Sequence, residues 1–174
     1  MKAILLDIDG VLNTGDTTNT IEGTNILIDI HRLMYVKRII EETGAKIVSV
    51  SSLTGPIGFQ KTDTSFYAKT EPAQSLLDFF KQQGTEIHDI IQRVHNKRQF
   101  DIDEWLQNND VESFVIIDDD VCQYSEEMRP YIIKTSNIPW NQMVMDMRDY
   151  EGLKEEQVYE AIEILNRKEK KLKK

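Results

Sequence analysis

Short apolar runs alternate along this chain with segments of helical period, and that order restricts the fold more than any other feature. Ala3-Ile4-Leu5-Leu6 reads as a first buried strand and Lys46-Ile47-Val48-Ser49-Val50 as a second. Phe114-Val115-Ile116-Ile117 reads as a third, Tyr131-Ile132-Ile133 as a fourth, and Met143-Val144-Met145 as a weaker fifth. Between the first two, residues 31–43 place Leu33, Val36 and Ile40 on one helical face, with Gly44 at the stop position. Thr70, Pro72 and Gly84 bracket a second helix carrying Leu76, Leu77 and Phe80. A third spans about 99–108 with Ile102, Trp105 and Leu106, and a last runs from about 154 with Val158, Ala161, Ile162 and Leu165. Strand and helix in repeating order predict an α/β fold, a mainly parallel sheet with helices on both faces. A length of 174 residues fits one domain over 1–174 with a substantial core.

Composition narrows the class. With 40% hydrophobic and 29% charged residues the chain reads as globular, and no apolar stretch approaches membrane-spanning length. The first strand begins almost at Met1 with no cleavage-type segment before it. Cys122 is the single cysteine, so an internal disulfide is excluded and a cytoplasmic setting is expected. The net charge of −9 argues against a chain-wide nucleic-acid surface. In the last eight residues six cations oppose only Glu169, a local +5, which leaves −14 on the rest. That basic tail, 167–174, reads as a frayed, solubilising end.

In parallel sheets the working site lies beyond the carboxyl ends of the strands. The first strand ends in Asp7 and Asp9, the second in Ser51-Ser52, and the third in Asp118-Asp119-Asp120. A solvated acidic turn explains any one of these, but three converging strand ends make a site the better reading. Clustered carboxylates repel unless a cation offsets them, and oxygen ligands suit Mg²⁺. His31, His88 and His95 show no paired ligand spacing, and one cysteine makes zinc improbable. A carboxylate-held magnesium ion commonly handles phosphate, for which Ser51 and Ser52 offer donors and Lys97 or Arg98 a cation. An aspartate can attack phosphorus while a second carboxylate moves the proton, and Asp7 and Asp9 are spaced for that division.

These residues resemble the haloacid dehalogenase (HAD) superfamily. Asp7-Ile8-Asp9-Gly10-Val11-Leu12 is similar to its first motif and Ser51 to its second. Lys97 or Arg98 is placed like the third, and Ile116-Ile117-Asp118-Asp119-Asp120 resembles the acidic fourth. Arg98, Asp101, Ile102, Trp105 and Leu106, with the aspartate triplet and Gly152-Leu153, are further similar to small members related to phosphatase modules of nucleic-acid repair enzymes. The resemblance implies a three-layer Rossmann-like sandwich with a minimal cap. It implies Asp7 as nucleophile and Asp9 as general acid/base, with Ser51 and Lys97 or Arg98 holding phosphate. Magnesium would be held by Asp7, the Asp9 backbone carbonyl and Asp118 or Asp119. The narrower group often carries Ser-Ser-Trp-Arg after its second strand, whereas here Ser51-Ser52 runs into Leu53-Thr54-Gly55.

Residues 13–30 form a polar loop that, with the one helix after it, is too short for a separate cap domain; 53–70 form another long loop, and either can serve as a flap or lid. An uncapped site suits a terminal phosphate on a nucleic acid or protein, or a small phosphorylated molecule if a second subunit closes the site. The expected activity is a magnesium-dependent phosphomonoesterase. A phosphotransferase on the same constellation and a non-catalytic phosphate-binding or regulatory module are the alternatives. Cys122 reads as a small packed residue. Tyr124, Tyr131 and Trp140 read equally as core aromatics or as base-stacking groups.

Overall fold

The computed structural model describes residues 1–167. Among them the strands are β1 (Lys2–Leu6), β2 (Lys46–Ser49), β3 (Phe59–Lys61), β4 (Phe66–Ala68), β5 (Ile87–Ile90), β6 (Ser113–Asp118) and β7 (Ile132–Lys134). The helices are α1 (Ile30–Thr43), α2 (Glu71–Gln82), α3 (Arg98–Asn108) and α4 (Glu155–Asn166). The main sheet is parallel throughout, in the order β5-β2-β1-β6-β7. The chain is therefore an α/β Rossmann-like sandwich.

The central place of β1 follows from its sequence. Ile4 and Leu6 enter one core cluster with Leu33 and Val36 of α1, Leu76 and Phe80 of α2, and Val158 and Ala161 of α4. Ala3 and Leu5 enter the opposite cluster with Ile102 and Trp105 of α3. A strand covered on both faces needs an unbroken apolar run, and Ala3 to Leu6 supplies one. Each buried Ile or Leu of the run contributes about 1.5–3 kcal/mol by leaving water. Helix ends follow local chemistry: the Asp29 carboxylate accepts from the His31 amide at 2.9 Å and the Thr70 hydroxyl from the Ala73 amide at 3.4 Å.

Three sequence expectations are corrected or extended. Met143-Val144-Met145 is not a strand: Met143 and Met145 are 56% and 84% exposed, and no strand edge pairs with them. Residues 136–150 instead form a loop whose ends meet in an antiparallel bridge between Ser136 and Tyr150. The segment expected as an unbroken loop over 53–70 contains the β3–β4 hairpin. Its Lys61 pairs with Asp89 and donates to the Ile90 carbonyl at 2.7 Å, so the hairpin covers the edge strand β5. That edge strand has no apolar run in sequence, because His88 and Asp89 separate Ile87 from Ile90.

The 13–30 loop is irregular, pinned by a Thr20–Leu27 bridge and by buried Ile21 and Ile28. No helix among the described residues is long and apolar enough to cross a membrane. Of the basic tail only Arg167 is described, and Lys168–Lys174 lie outside the described residues.

Candidate active site

The carboxyl ends of β1 and β6 bring three aspartates together. Just past β1 the Asp7 amide donates to the Ile117 carbonyl at 3.0 Å, and Asp7 Oδ1 accepts from the Ile8 amide at 2.7 Å. Asp118 closes β6 and Asp119 follows it; oxygens of Asp7, Asp118 and Asp119 lie within 4.8 Å of one another, all three residues buried. Asp120 turns aside, accepting from Gln123 Nε2 at 2.6 Å.

One cation is already in the cluster. Arg98, the first residue of α3, donates through Nη1 to Asp7 Oδ2 at 2.6 Å and also pairs with Asp118. Lys97 is exposed. Geometry thus separates the two basic residues that spacing could not. Burial works to lower the Arg98 pKa, but Asp118 and Asp7 hold it well above the ordinary arginine value. Its Nε is buried without a hydrogen-bond partner among the described residues.

Three carboxylates against one guanidinium leave a formal charge of −2 in the cluster. Burial, then Asp118 and Asp7, pushes the Asp119 pKa up to about 8. Burial and Asp7 likewise raise Asp118 against the opposing pull of Arg98, while the Tyr124 hydroxyl donates to its Oδ2 at 2.6 Å. No donor from another described residue reaches the Asp119 carboxylate. Hard oxygen ligands carrying two excess charges fit a divalent cation.

A stability consequence follows from Asp119. Its folded pKa is raised, so its contribution to stability is greatest below the unfolded value near 3.8 and is lost as pH rises through about 8. The cation-free protein should melt at lower temperature near pH 8 than near pH 5, and added Mg²⁺ should raise the melting point more at the higher pH. Equal Mg²⁺ shifts at both values would count against cation binding at this cluster.

Gly10 makes the cluster possible. Its φ is +71°, and a Cβ there would stand 2.5 Å from the Asp119 carboxyl carbon. The Thr135 hydroxyl donates to the Gly10 carbonyl at 2.9 Å and the Ser136 hydroxyl to the Asp119 carbonyl at 2.7 Å, fixing the two loops together. Gly10→Ala should cost about 1–3 kcal/mol for the left-handed backbone alone, and more for the displaced Asp119. Thermal melts and calorimetric Mg²⁺ titration should show lower stability together with weakened binding; parental values for both would mean Asp119 yields without consequence.

Asp9 stands apart from the three. Its Oδ1 accepts from Asn13 Nδ2 at 3.0 Å, and Asn13 in turn accepts from the Gly10 amide and donates to the Leu27 carbonyl. Burial raises the Asp9 pKa, and Asp7 adds to the rise against the Asn13 bond. Ser51 lies beyond β2, 3% exposed, its Oγ accepting from the Leu53 amide at 3.3 Å. The Val50 amide before it donates to the Leu6 carbonyl, which sets Ser51 beside the β1 exit.

Several positioning groups have roles that the sequence did not assign, although Asp101 and Gly152-Leu153 stand among the residues that carry the resemblance. Asn13, buried, reads there as an ordinary loop residue. Asp101 accepts from the Val94 and His95 amides, each at 3.0 Å, and thereby holds the loop that precedes Arg98. Thr135 and Ser136 follow β7 and carry no motif. Gly152 and Leu153 donate to the Thr135 and Val11 carbonyls, so that pair braces the first loop. Tyr150 lies at the cluster: with burial, Asp119, Asp9, Asp7 and Asp120 push its hydroxyl pKa up to about 12. Tyr131 stacks on Phe114 at 4.9 Å, and Trp140 lies under Arg129. Cys122 donates to Asp120, and burial pushes its thiol up to about 11, which disfavours thiolate chemistry. A separate cleft of about 710 Å³ runs between the hairpin and α3, and no cluster carboxylate lines it.

A parallel α/β sheet with an aspartate past its central strand, a second aspartate two residues on and paired acids past the neighbouring strand defines a HAD-type domain. The chain belongs to the family of HAD domains in Swiss Army Knife RNA repair proteins, whose family model matches residues 3–158. No curated protein and no solved structure matches the chain.

Proposed function

We propose that the chain is a magnesium-dependent phosphomonoesterase that works through a phospho-aspartate on Asp7 and removes a terminal phosphate from a nucleotide or nucleic-acid end. The observation that carries this is the unequal treatment of two neighbouring acids. Asp7 sits in the cluster against Arg98, while Asp9 is turned to Asn13 with its pKa raised. An ionised carboxylate suits attack and a protonated one suits donation to the leaving group. In the proposed first step an Asp7 oxygen bonds to phosphorus, the P–O ester bond breaks, and Asp9 gives its proton to the departing oxygen. In the second, Asp9 takes a proton from water, the water oxygen bonds to phosphorus, and the acyl phosphate releases phosphate and restores Asp7.

Asp7, Asp118 and Asp119 are the residues that would hold Mg²⁺, which would neutralise charge on the phosphoryl oxygens. Arg98 Nε and the Ser51 hydroxyl are the proposed phosphate donors. Two findings support a nucleic-acid end as substrate: membership in a family of RNA repair domains, and the absence of a separate cap domain among the described residues.

Phosphate release should be measured from mononucleotides, sugar phosphates, phosphopeptides and 3′- and 5′-phosphorylated oligonucleotides. Turnover is expected on oligonucleotide ends, lost in chelator and restored by Mg²⁺. Activity that survives chelation overturns the metal-dependent mechanism, and exclusive use of phosphopeptides or sugar phosphates overturns the substrate.

A further inference from the structure

The loop between β7 and α4 behaves unlike the other connections of the sheet. Both of its ends are bolted to the cluster: Ser136 holds the Asp119 carbonyl and bridges Tyr150, and Thr135 holds the Gly10 carbonyl. The Glu151 and Gly152 amides both donate to the Thr135 carbonyl, at 3.0 and 3.1 Å. Residue 150 therefore sits one bridge away from the residue that grips Asp119. Its hydroxyl has no hydrogen-bond partner among the described residues, although four carboxylates act on it. A half-buried phenol usually finds a partner, so this one is left free for a ligand at the cluster.

Between these anchors the sequence alternates. Met143, Met145 and Met147 are 56%, 84% and 47% exposed, whereas Val144 and Asp146 are half-buried. The alternation that suggests a strand in sequence is thus turned outward, and it faces methionines to solvent. Met147 is also where the loop meets the first loop of the site, since a Cβ on Gly15 would come 3.4 Å from its carbonyl oxygen. The one arginine of the segment, Arg148, is paired with Asp146. The wall therefore offers polarisable apolar contacts and a phenol but no free cation. Such a surface offers apolar, polarisable packing to the flat face of an aromatic ring and no charge to a phosphate backbone.

We infer that residues 143–150 form the substrate-reading wall of the site, with Tyr150 donating to a sugar oxygen of the phosphate-bearing nucleotide and Met143, Met145 and Met147 packing on unpaired bases beside it. This rests on the phosphatase reading above and deepens it. The wall is a binding element and Tyr150 a substrate-contacting residue, separate from the proton and nucleophile roles of Asp9 and Asp7.

The test compares parent, Tyr150→Phe and a triple Met143→Ser, Met145→Ser, Met147→Ser variant. Substrates are para-nitrophenyl phosphate, which has no base or sugar, and 3′- and 5′-phosphorylated oligonucleotides, single-stranded and blunt duplex. Tyr150→Phe should raise KM on oligonucleotide ends about fivefold, the worth of one hydrogen bond. The triple variant should raise it about tenfold on single strands and less on blunt duplexes. Both should keep parental kcat/KM on para-nitrophenyl phosphate and parental melting temperatures. As a readout besides activity, a fluorescent 3′-phosphorylated oligonucleotide should bind the Asp7→Asn protein more weakly when the three serines are added.

Equal losses on both substrate types would mean a structural role and overturn the inference, as would unchanged oligonucleotide KM values. If the parent hydrolyses phosphopeptides but not oligonucleotides, the occupant is wrong while the phosphatase reading stands. If the parent hydrolyses nothing, the reading beneath the wall fails and the wall falls with it.

Discussion

Asp7→Asn should abolish turnover, by on the order of 10⁴-fold or more, while leaving the protein folded. An amide cannot form the acyl phosphate, and no other carboxylate is placed to replace it. Asp118 is fully buried and bonded by Arg98 and Tyr124, and Asp9 is held by Asn13. Stability should be retained or raised near pH 8 without metal, because the substitution removes one of three mutually repelling buried acids. Paired measurements of phosphate release and thermal melting check both halves. Substantial activity in the variant would refute Asp7 as nucleophile. A collapse of stability would mean that the Asp7–Arg98 pair is needed for folding.

The second large effect belongs to Arg98. Arg98→Met should destabilise the cation-free protein by about 3–5 kcal/mol, because Asp7 and Asp118 would keep their burial and lose their counterion. The usual weakness of surface ion pairs does not apply, since the Arg98 side chain is 11% exposed and Asp118 not at all. Activity should fall by about 10²-fold or more as a donor for phosphate is removed. Mg²⁺ should recover more stability in Arg98→Met than in the parent, because the cation then neutralises charge the guanidinium no longer does. Lys97→Met, altering an exposed side chain, should leave both properties near parental values. The reverse ranking of the two variants would show that the wrong basic residue has been placed at the phosphate.

The two basic neighbours also illustrate where sequence reading stops. Spacing along a chain locates a helix start to within a residue or so, and adjacent side chains there differ in direction by about 100°. Only the packing of α3 on its sheet face decides that Arg98 turns inward. The β5 strand was illegible for a related reason. At a sheet edge two buried isoleucines suffice, and His88 and Asp89 between them carry no apolar signal. The methionine stretch misled in the opposite direction, since alternation states which residues share a side but not whether that side meets core or water.

By itself the sequence determined the layered α/β order, the apolar strands β1, β2 and β6 and the acids and hydroxyls at the strand ends. Those features are local, written in runs of apolar residues and in what terminates them. The tertiary structure decided which acids meet, that Arg98 rather than Lys97 stands between two of them, and that Asn13 parts Asp9 from the cluster. It also decided that Gly10 admits Asp119 and that Tyr150 arrives from far along the chain. Most of those outcomes depend on contacts between distant segments, Arg98 with Asp7 across 91 residues and Thr135 with Gly10 across 125, and no local pattern encodes a distance across the fold.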